Sequence, residues 1–456
     1  MAVDRSRPPG VGADPAFRFP SIVRHTLSNG LDLRTVEHRA VPIVTIVVQV
    51  EGGSGADPSQ QEGLAAMTAD MVDEGTGSLS AIDVSDAIAR LGAEYDVDVG
   101  ADVTTFSLTT LVRFAERGMS LLADLVIRPS LREADFQRVR QLRLDRLRQL
   151  KDVAPAVAER AFLRLVYGEH PYGHLAIGTD SALRSLTVDD VARFHLGRFV
   201  PLQSTLIVAG DMTHEAMRAL AERVFGGWED RPVPVAWGRA SEIEPAQDAG
   251  VRLALVPREG AAQSELRIGH LSARRNTPDY PALLVMNSVL GGQFVSRVNL
   301  KLREEKGFTY GARTGFDWRR GRAPFSLSAS VHTAATAEAI QDAHAELEGL
   351  RGSRPVISTE LVLAKASLTR GYPRNFETAG QVARGVAQLA LYGLPDTYFQ
   401  EFVPNVNAVT GDDVTRVAAA HLDPSRLTTL VVGDHPAVIG SLSRLFGDPV
   451  LMPPEV

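Results

Sequence analysis

The chain has 456 residues, 44% of them hydrophobic, a formal net charge of −7 and no cysteine. That length exceeds what one hydrophobic core usually serves, and a mean hydropathy of −0.03 suits a soluble globular protein. The acidic balance argues against a general nucleic-acid binder, and the lack of cysteine excludes disulfides, iron–sulfur ligation and thiol catalysis.

Residues 1–20 are polar and rich in Pro and Gly, which predicts a flexible segment; they contain no apolar core of a signal peptide. That reading fits a cytoplasmic protein and equally a mature periplasmic one. No apolar run approaches the roughly 20 residues of a membrane span. Strands are expected from Ile43 to Val50 and from Val103 to Leu111, and helices near 62–74, 82–91, 113–127 and 133–149. Basic residues from Arg138 to Arg148 interleave with Leu142, Leu144 and Leu147, the pattern of a solvated helix face. The one close histidine pair, His170 and His174, brackets a Pro-Tyr-Gly turn, so the two do not share a helical face as a zinc motif requires. His332 and His344 are too far apart to pair on one helix face. Residues 227–249, with Pro232, Pro234 and Pro245, read as an extended connector. Beyond it, strands are expected at 251–256 and 265–270. Phe325, Leu327, Ala329 and Val331 alternate as one buried strand face, and helices follow at 337–350, 358–370 and 379–392.

The chain repeats itself at an offset of 223: Thr187-Val188-Asp189-Asp190-Val191 parallels Thr410-Gly411-Asp412-Asp413-Val414, and Pro201 to Asp211 parallels Pro424 to Asp434. That period is too long for a solenoid and reads as a duplicated domain of about 220 residues. Each half has an α+β pattern, which helices packed on one side of a largely antiparallel sheet satisfy. The Asp pairs read as first-turn acids complementing a helix dipole.

The segment from Asn299 to Lys306 reads as a helix end. Gly307 is a natural left-handed stop, and Tyr310 to Asp317 reads as a strand. Arg303 in the last turn and Tyr310 at the strand start can then aim a guanidinium fork and a phenol at one point, a set suited to a carboxylate, a carbonyl or a developing oxyanion. The plainer alternative is a capped helix end with solvated charges. Upstream, Gly291 and Gly292 permit close backbone approach or a moving loop, or else simply turn one helix into the next.

The block Gly291-Gly292-Gln293-Phe294-Val295-Ser296-Arg297 through Leu302-Arg303-Glu304-Glu305-Lys306-Gly307-Phe308-Thr309-Tyr310 resembles the signature of the second half of M16 metallopeptidases, the pitrilysin and mitochondrial-processing-peptidase group. The resemblance implies two tandem αβ domains of M16 type, here 21–226 and 250–456. It also implies that Arg303 and Tyr310 bind substrate and stabilise the transition state, with Gly291 and Gly292 beside the substrate. The family's inverted zinc motif, His-x-x-Glu-His, has its frame at Gly63 to Thr76, but Ala66, Ala69 and Asp70 stand at the three functional positions. No Glu occurs between Glu133 and Glu159, where the distal ligand belongs. Alanine has no lone pair for a metal, and one Asp does not make a three-ligand zinc site. The expectation is therefore a zinc-free, M16B-type subunit that is inactive alone. It would complement a homologous partner that bears zinc and cleaves peptides, with no nucleic acid or membrane span involved. The alternatives are a scaffolding subunit of the respiratory core-protein type and a stand-alone peptide-binding protein.

Overall fold

A computed structural model describes residue 6 and residues 17–230, 238–246 and 250–453. Most of the predicted N-terminal segment and much of the predicted connector lie outside the described residues. In the first half, β1 (Ile22–Thr26), β2 (Asp32–Glu37) and β3 (Ile43–Glu51) precede α1 (Leu64–Val72), a small hairpin of β4 (Gly75–Thr76) and β5 (Leu79–Ser80), and α2 (Ala81–Arg90). The hairpin of β6 (Glu94–Val99) and β7 (Val103–Leu111) follows, then α3 (Ala115–Ile127), α4 (Glu133–Lys151), α5 (Ala154–Tyr167), α6 (Asp180–Ser185), α7 (Val188–Arg198), β8 (Ser204–Gly210) and α8 (His214–Phe225).

The second half runs β9 (Leu253–Pro257), β10 (Gln263–Leu271), α9 (Tyr280–Leu290), the short turn α10 (Arg297–Asn299), β11 (Thr309–Phe316) and β12 (Pro324–His332). It ends with α11 (Thr336–Glu348), α12 (Ser358–Thr369), α13 (Ala379–Tyr392), α14 (Tyr398–Ala408), α15 (Gly411–His421), β13 (Thr428–Gly433), α16 (His435–Phe446) and β14 (Val450–Leu451).

The two large sheets have orders β1-β2-β8-β3-β7-β6 and β11-β12-β10-β13-β9-β14. Read from opposite ends they match strand for strand, with β2, β8, β3, β7 and β6 answering to β9, β13, β10, β12 and β11. Both are mixed. The first is antiparallel except for β2 with β8, and the second is antiparallel except where β9 pairs with β13 and β14. The duplicated Thr-x-x-Asp segments open α7 and α15 as reciprocal capping boxes: Asp190 N–H donates to Thr187 Oγ1 at 3.2 Å, and Asp413 N–H to Thr410 Oγ1 at 3.1 Å. The same hydroxyl and the backbone N–H of Thr410 hold the Asp413 carboxyl below its ordinary pKa.

Helices do not lie on one side only. Strand β3 is buried along almost its whole length, as a strand covered on both faces must be. Helix α13, from the second half, lays Val382, Ala383, Val386 and Leu389 on Val47, Ile207 and Ala209 of the first sheet. Reciprocally, α5 from the first half lays Val157, Ala158, Ala161, Phe162 and Val166 on Ala254, Val256, Leu430 and Val432 of the second. Each Val, Leu, Ile or Phe among them contributes about 1.5–3 kcal/mol when fully buried, and each Ala about one methyl's share of that. Thr378 and Gln381 form the capping box that starts α13, and Gly393, at φ +63°, ends it. The exchanged helices tie the halves together, and a polar seam adds to them. Arg319 is buried against the rings of Tyr167 and Tyr172, 5.0 and 4.9 Å away, and donates to the Tyr172 carbonyl at 3.0 Å. Arg320 N–H donates to Asp102 at 3.0 Å.

Candidate functional site

Arg303 and Tyr310 meet at one cleft. The helix end expected before Gly307 is a π-helical turn, Leu300–Glu305, rather than an α-helix. Gly307 follows at φ +65° and reverses the chain into β11. Strand β11 carries a bulge: Thr309 faces Val331 and Ala312 faces Ala329, so one extra residue is pushed out. Tyr310 sits on that bulge and is 89% exposed. Arg303 lies over the ring of Phe294, 4.4 Å from its centre, and its Nε is 3.3 Å from Glu304. The cleft holds about 500 Å³, and its walls include Gly291, Gly292, Phe294, Arg303, Tyr310 and Arg313.

Asn299, to which the sequence assigned no role, holds the two arms of this cleft together. It is 4% exposed. Its Nδ2 donates to the Phe294 carbonyl at 2.7 Å, and its Oδ1 accepts from Ala312 N–H at 3.0 Å. Thr314 N–H donates to the Gly291 carbonyl at 3.1 Å. Two outward amides of edge strand β11, those of Ala312 and Thr314, are thereby capped from within the chain and are not open to strand addition. A Cβ on Gly291 would stand 2.5 Å from the backbone nitrogen of Thr314, so that glycine permits the close helix–strand approach. Gly292 is as tightly placed against Asn287, 2.8 Å from its amide nitrogen.

The degenerate motif lies on α1, where every residue except Asp70 is buried. Asp57, whose side chain is wholly enclosed, anchors the start of this helix. It accepts from Gly63 N–H and Ala65 N–H at 2.7 Å each and from His174 Nε2 at 3.0 Å. Burial raises its pKa despite these partners. Ala66 and Ala69 present only methyl groups. Asp70 is ion-paired with Arg143 of α4 at 2.6 Å, and Arg143 donates on to the Ala176 carbonyl at 2.8 Å. Arg143 is 8% exposed, so the basic run of α4 is not wholly the solvated face expected for it. A guanidinium brought by α4 thus neutralises the one carboxylate at the motif positions, and this donor set does not fit zinc. His170 Nε2 lies 3.0 Å from the Ile243 carbonyl while its Nδ1 accepts from Tyr172 N–H at 3.1 Å, and His344 Nε2 lies 3.2 Å from Thr429 Oγ1. Among the described residues no group of three or more His, Asp or Glu is placed to hold a metal ion.

The chain thus combines two mixed sheets related by duplication, an anchored helix without metal donors and a cleft walled by Arg303 and Tyr310. Residues 35–180 match the family description "Insulinase (Peptidase family M16)", and residues 185–368 match "Peptidase M16 inactive domain". The chain belongs to peptidase family M16. It is 26% identical to an uncharacterized zinc protease of Mycobacterium leprae over 79% of this chain and 80% of that one. Among solved structures, a peptidase M16 inactive domain from Pseudomonas fluorescens shares its fold with a TM-score of 0.83 at 21% identity, covering 91% of this chain and 98% of the other. A protease from Helicobacter pylori does so with a TM-score of 0.83 at 20% identity, covering 91% and 99%. No described helix is long and apolar enough to cross a membrane.

Proposed function

We propose that this chain is the zinc-free subunit of a two-chain M16B-type peptidase and lends Arg303 and Tyr310 to the active site of a homologous, zinc-bearing partner. The observation that carries the reading is the contrast between two sites. Tyr310 is 89% exposed beside Arg303 in an open cleft, whereas the zinc-motif face offers two alanines and an Asp70–Arg143 ion pair. The partner supplies the His-x-x-Glu-His motif and the metal-activated water. The substrate peptide lies extended along a sheet edge of the partner, a reading supported by the capping of the Ala312 and Thr314 amides of β11 by Asn299 and Gly291. Tyr310 donates its O–H to the scissile carbonyl oxygen as negative charge builds there. The Arg303 fork holds a neighbouring backbone carbonyl or the peptide's terminal carboxylate.

The test is reconstitution with an M16 subunit that carries the intact zinc motif. Peptide cleavage should appear on mixing, and Tyr310→Phe and Arg303→Ala should each lower kcat on the order of 10²–10³-fold while the complex stays assembled. Full activity in either variant within an intact complex would refute the role given to that residue. Purified alone, the chain should cleave no peptide and hold less than stoichiometric zinc by elemental analysis; one tightly bound zinc per chain would contradict the reading.

A further inference from the structure

A second cavity, of about 630 Å³, lies among α9, α12, α13, α14 and the turn at Tyr372–Phe376. That volume falls within the range of small-molecule sites. One wall is aromatic, with Tyr372 and Phe402 stacked at 4.2 Å and Phe376 and Phe399 packed at 4.8 Å, while Asn375, Gln381, Gln388 and a second cation, Arg384, line other parts of it. Arg275 lines it and is 5% exposed. Its guanidinium carbon stands 3.4 Å from the ring centre of Tyr280, 5.1 Å from that of Tyr398 and 5.5 Å from that of Tyr392. One guanidinium N–H donates to Tyr398 Oη at 2.7 Å. Among the described residues no carboxylate pairs with Arg275, and no other protein acceptor receives its side-chain N–H groups. A second polar group is also left over: Tyr372, 7% exposed, lines the same cavity with its hydroxyl buried and without a partner.

A guanidinium withdrawn from water without an acid is costly, because ring faces offset only part of its lost hydration. An aromatic cage ordinarily selects a cation, but the protein's own cation already fills this one. What the cavity lacks is an anion that accepts from the Arg275 fork and the Tyr372 O–H while resting an apolar body on Phe376, Phe399 and Phe402. A planar carboxylate matches the fork in both charge and shape.

We propose that this cavity binds a small organic acid, a carboxylate on a flat or alkyl apolar body, at a site separate from the Arg303–Tyr310 cleft. The site belongs to the isolated chain and needs no peptidase partner. The test is calorimetric titration of the full chain with phenylacetate, indole-3-acetate and octanoate, each beside its neutral amide, and with inorganic phosphate and benzylammonium as controls. At least one carboxylate should bind saturably, its amide at least tenfold more weakly, and both controls more weakly than the carboxylate. Tyr372→Phe removes an unsatisfied buried hydroxyl. It should therefore leave the thermal stability of the ligand-free chain unchanged or raised, and weaken the carboxylate on the order of tenfold or more. Arg275→Lys keeps the charge, loses the fork and should abolish the preference for carboxylate over amide. No saturable binding of any carboxylate up to 10-millimolar levels, equal affinity for acid and amide, preference for benzylammonium, or undiminished binding in Tyr372→Phe would each overturn the proposal.

Discussion

Asn299→Ala is the sharpest probe of how the Arg303–Tyr310 cleft is built. The substitution removes the acceptor of Ala312 N–H (3.0 Å) and the donor to the Phe294 carbonyl (2.7 Å). Ala312 is 6% exposed and lies on the outer side of an edge strand, so no neighbouring strand replaces the lost acceptor. A buried amide left unsatisfied costs about 1–3 kcal/mol. At about 1.4 kcal/mol per tenfold, that lowers the local opening free energy enough to speed exchange of the Ala312 amide by roughly 5- to 150-fold. Hydrogen-exchange mass spectrometry with residue-level fragmentation reads this directly. Thr314 N–H is the internal control, because Gly291, not Asn299, accepts from it at 3.1 Å. Unchanged protection at Ala312 would refute the capping argument. Equal loss at Thr314 would show that the whole edge, rather than the bulge, depends on Asn299.

Asp73 closes α1 beside Glu74, and burial with that neighbour's charge raises its pKa from 3.8 to about 6. The folded chain therefore binds a proton more tightly than the unfolded one, so this group's destabilisation is absent below about pH 4 and fully present above about pH 6. Asp73→Asn should stabilise the chain at pH 7.5 by no more than about 3 kcal/mol, less where solvent screens it, and by nothing at pH 3.5; equal melting shifts at both pH values would contradict this. Asp70→Ala should cost about 3 kcal/mol, more than Arg143→Met. The first strands a guanidinium whose side chain is 9% exposed, whereas the second frees a carboxylate that is 43% exposed and can be hydrated. Urea unfolding of the two variants checks the order, and the reverse order would refute it. Asp57→Ala leaves two helix-start amides without acceptors and should cost about 2–6 kcal/mol, at 1–3 for each amide; a thermal midpoint within 1 °C of the parent chain would refute that anchoring role.

What the chain's text made legible follows from how local each signal is. Helix Ala379–Tyr392 falls where it was expected, because its signals are local: a capping box and a left-handed glycine act within a few residues. The exchange of α5 and α13 was not legible, since amphipathic pattern states that a helix buries a face and not which sheet receives it. In β3 one face, Val44, Ile46, Val48 and Val50, is plainly apolar, but the other mixes Ile43 and Val47 with Thr45, Gln49 and Glu51, so the sequence did not announce that both faces are covered. The bulge under Tyr310 escaped for a related reason: an extra residue in one strand is defined only by the register of its neighbour. The Asp70–Arg143 pair escaped as well, because the two residues lie 73 apart and Arg143 sits within a run of exposed arginines. That pair bears on how α1 is held against α4. Of the three motif positions, Ala66 and Ala69 carry no charge, so Asp70 is the one acid to be balanced, and Arg143 of α4 balances it. Asp57 fixes the start of α1 and Arg143 ties its middle to α4, so side chains of this chain hold the helix at both places.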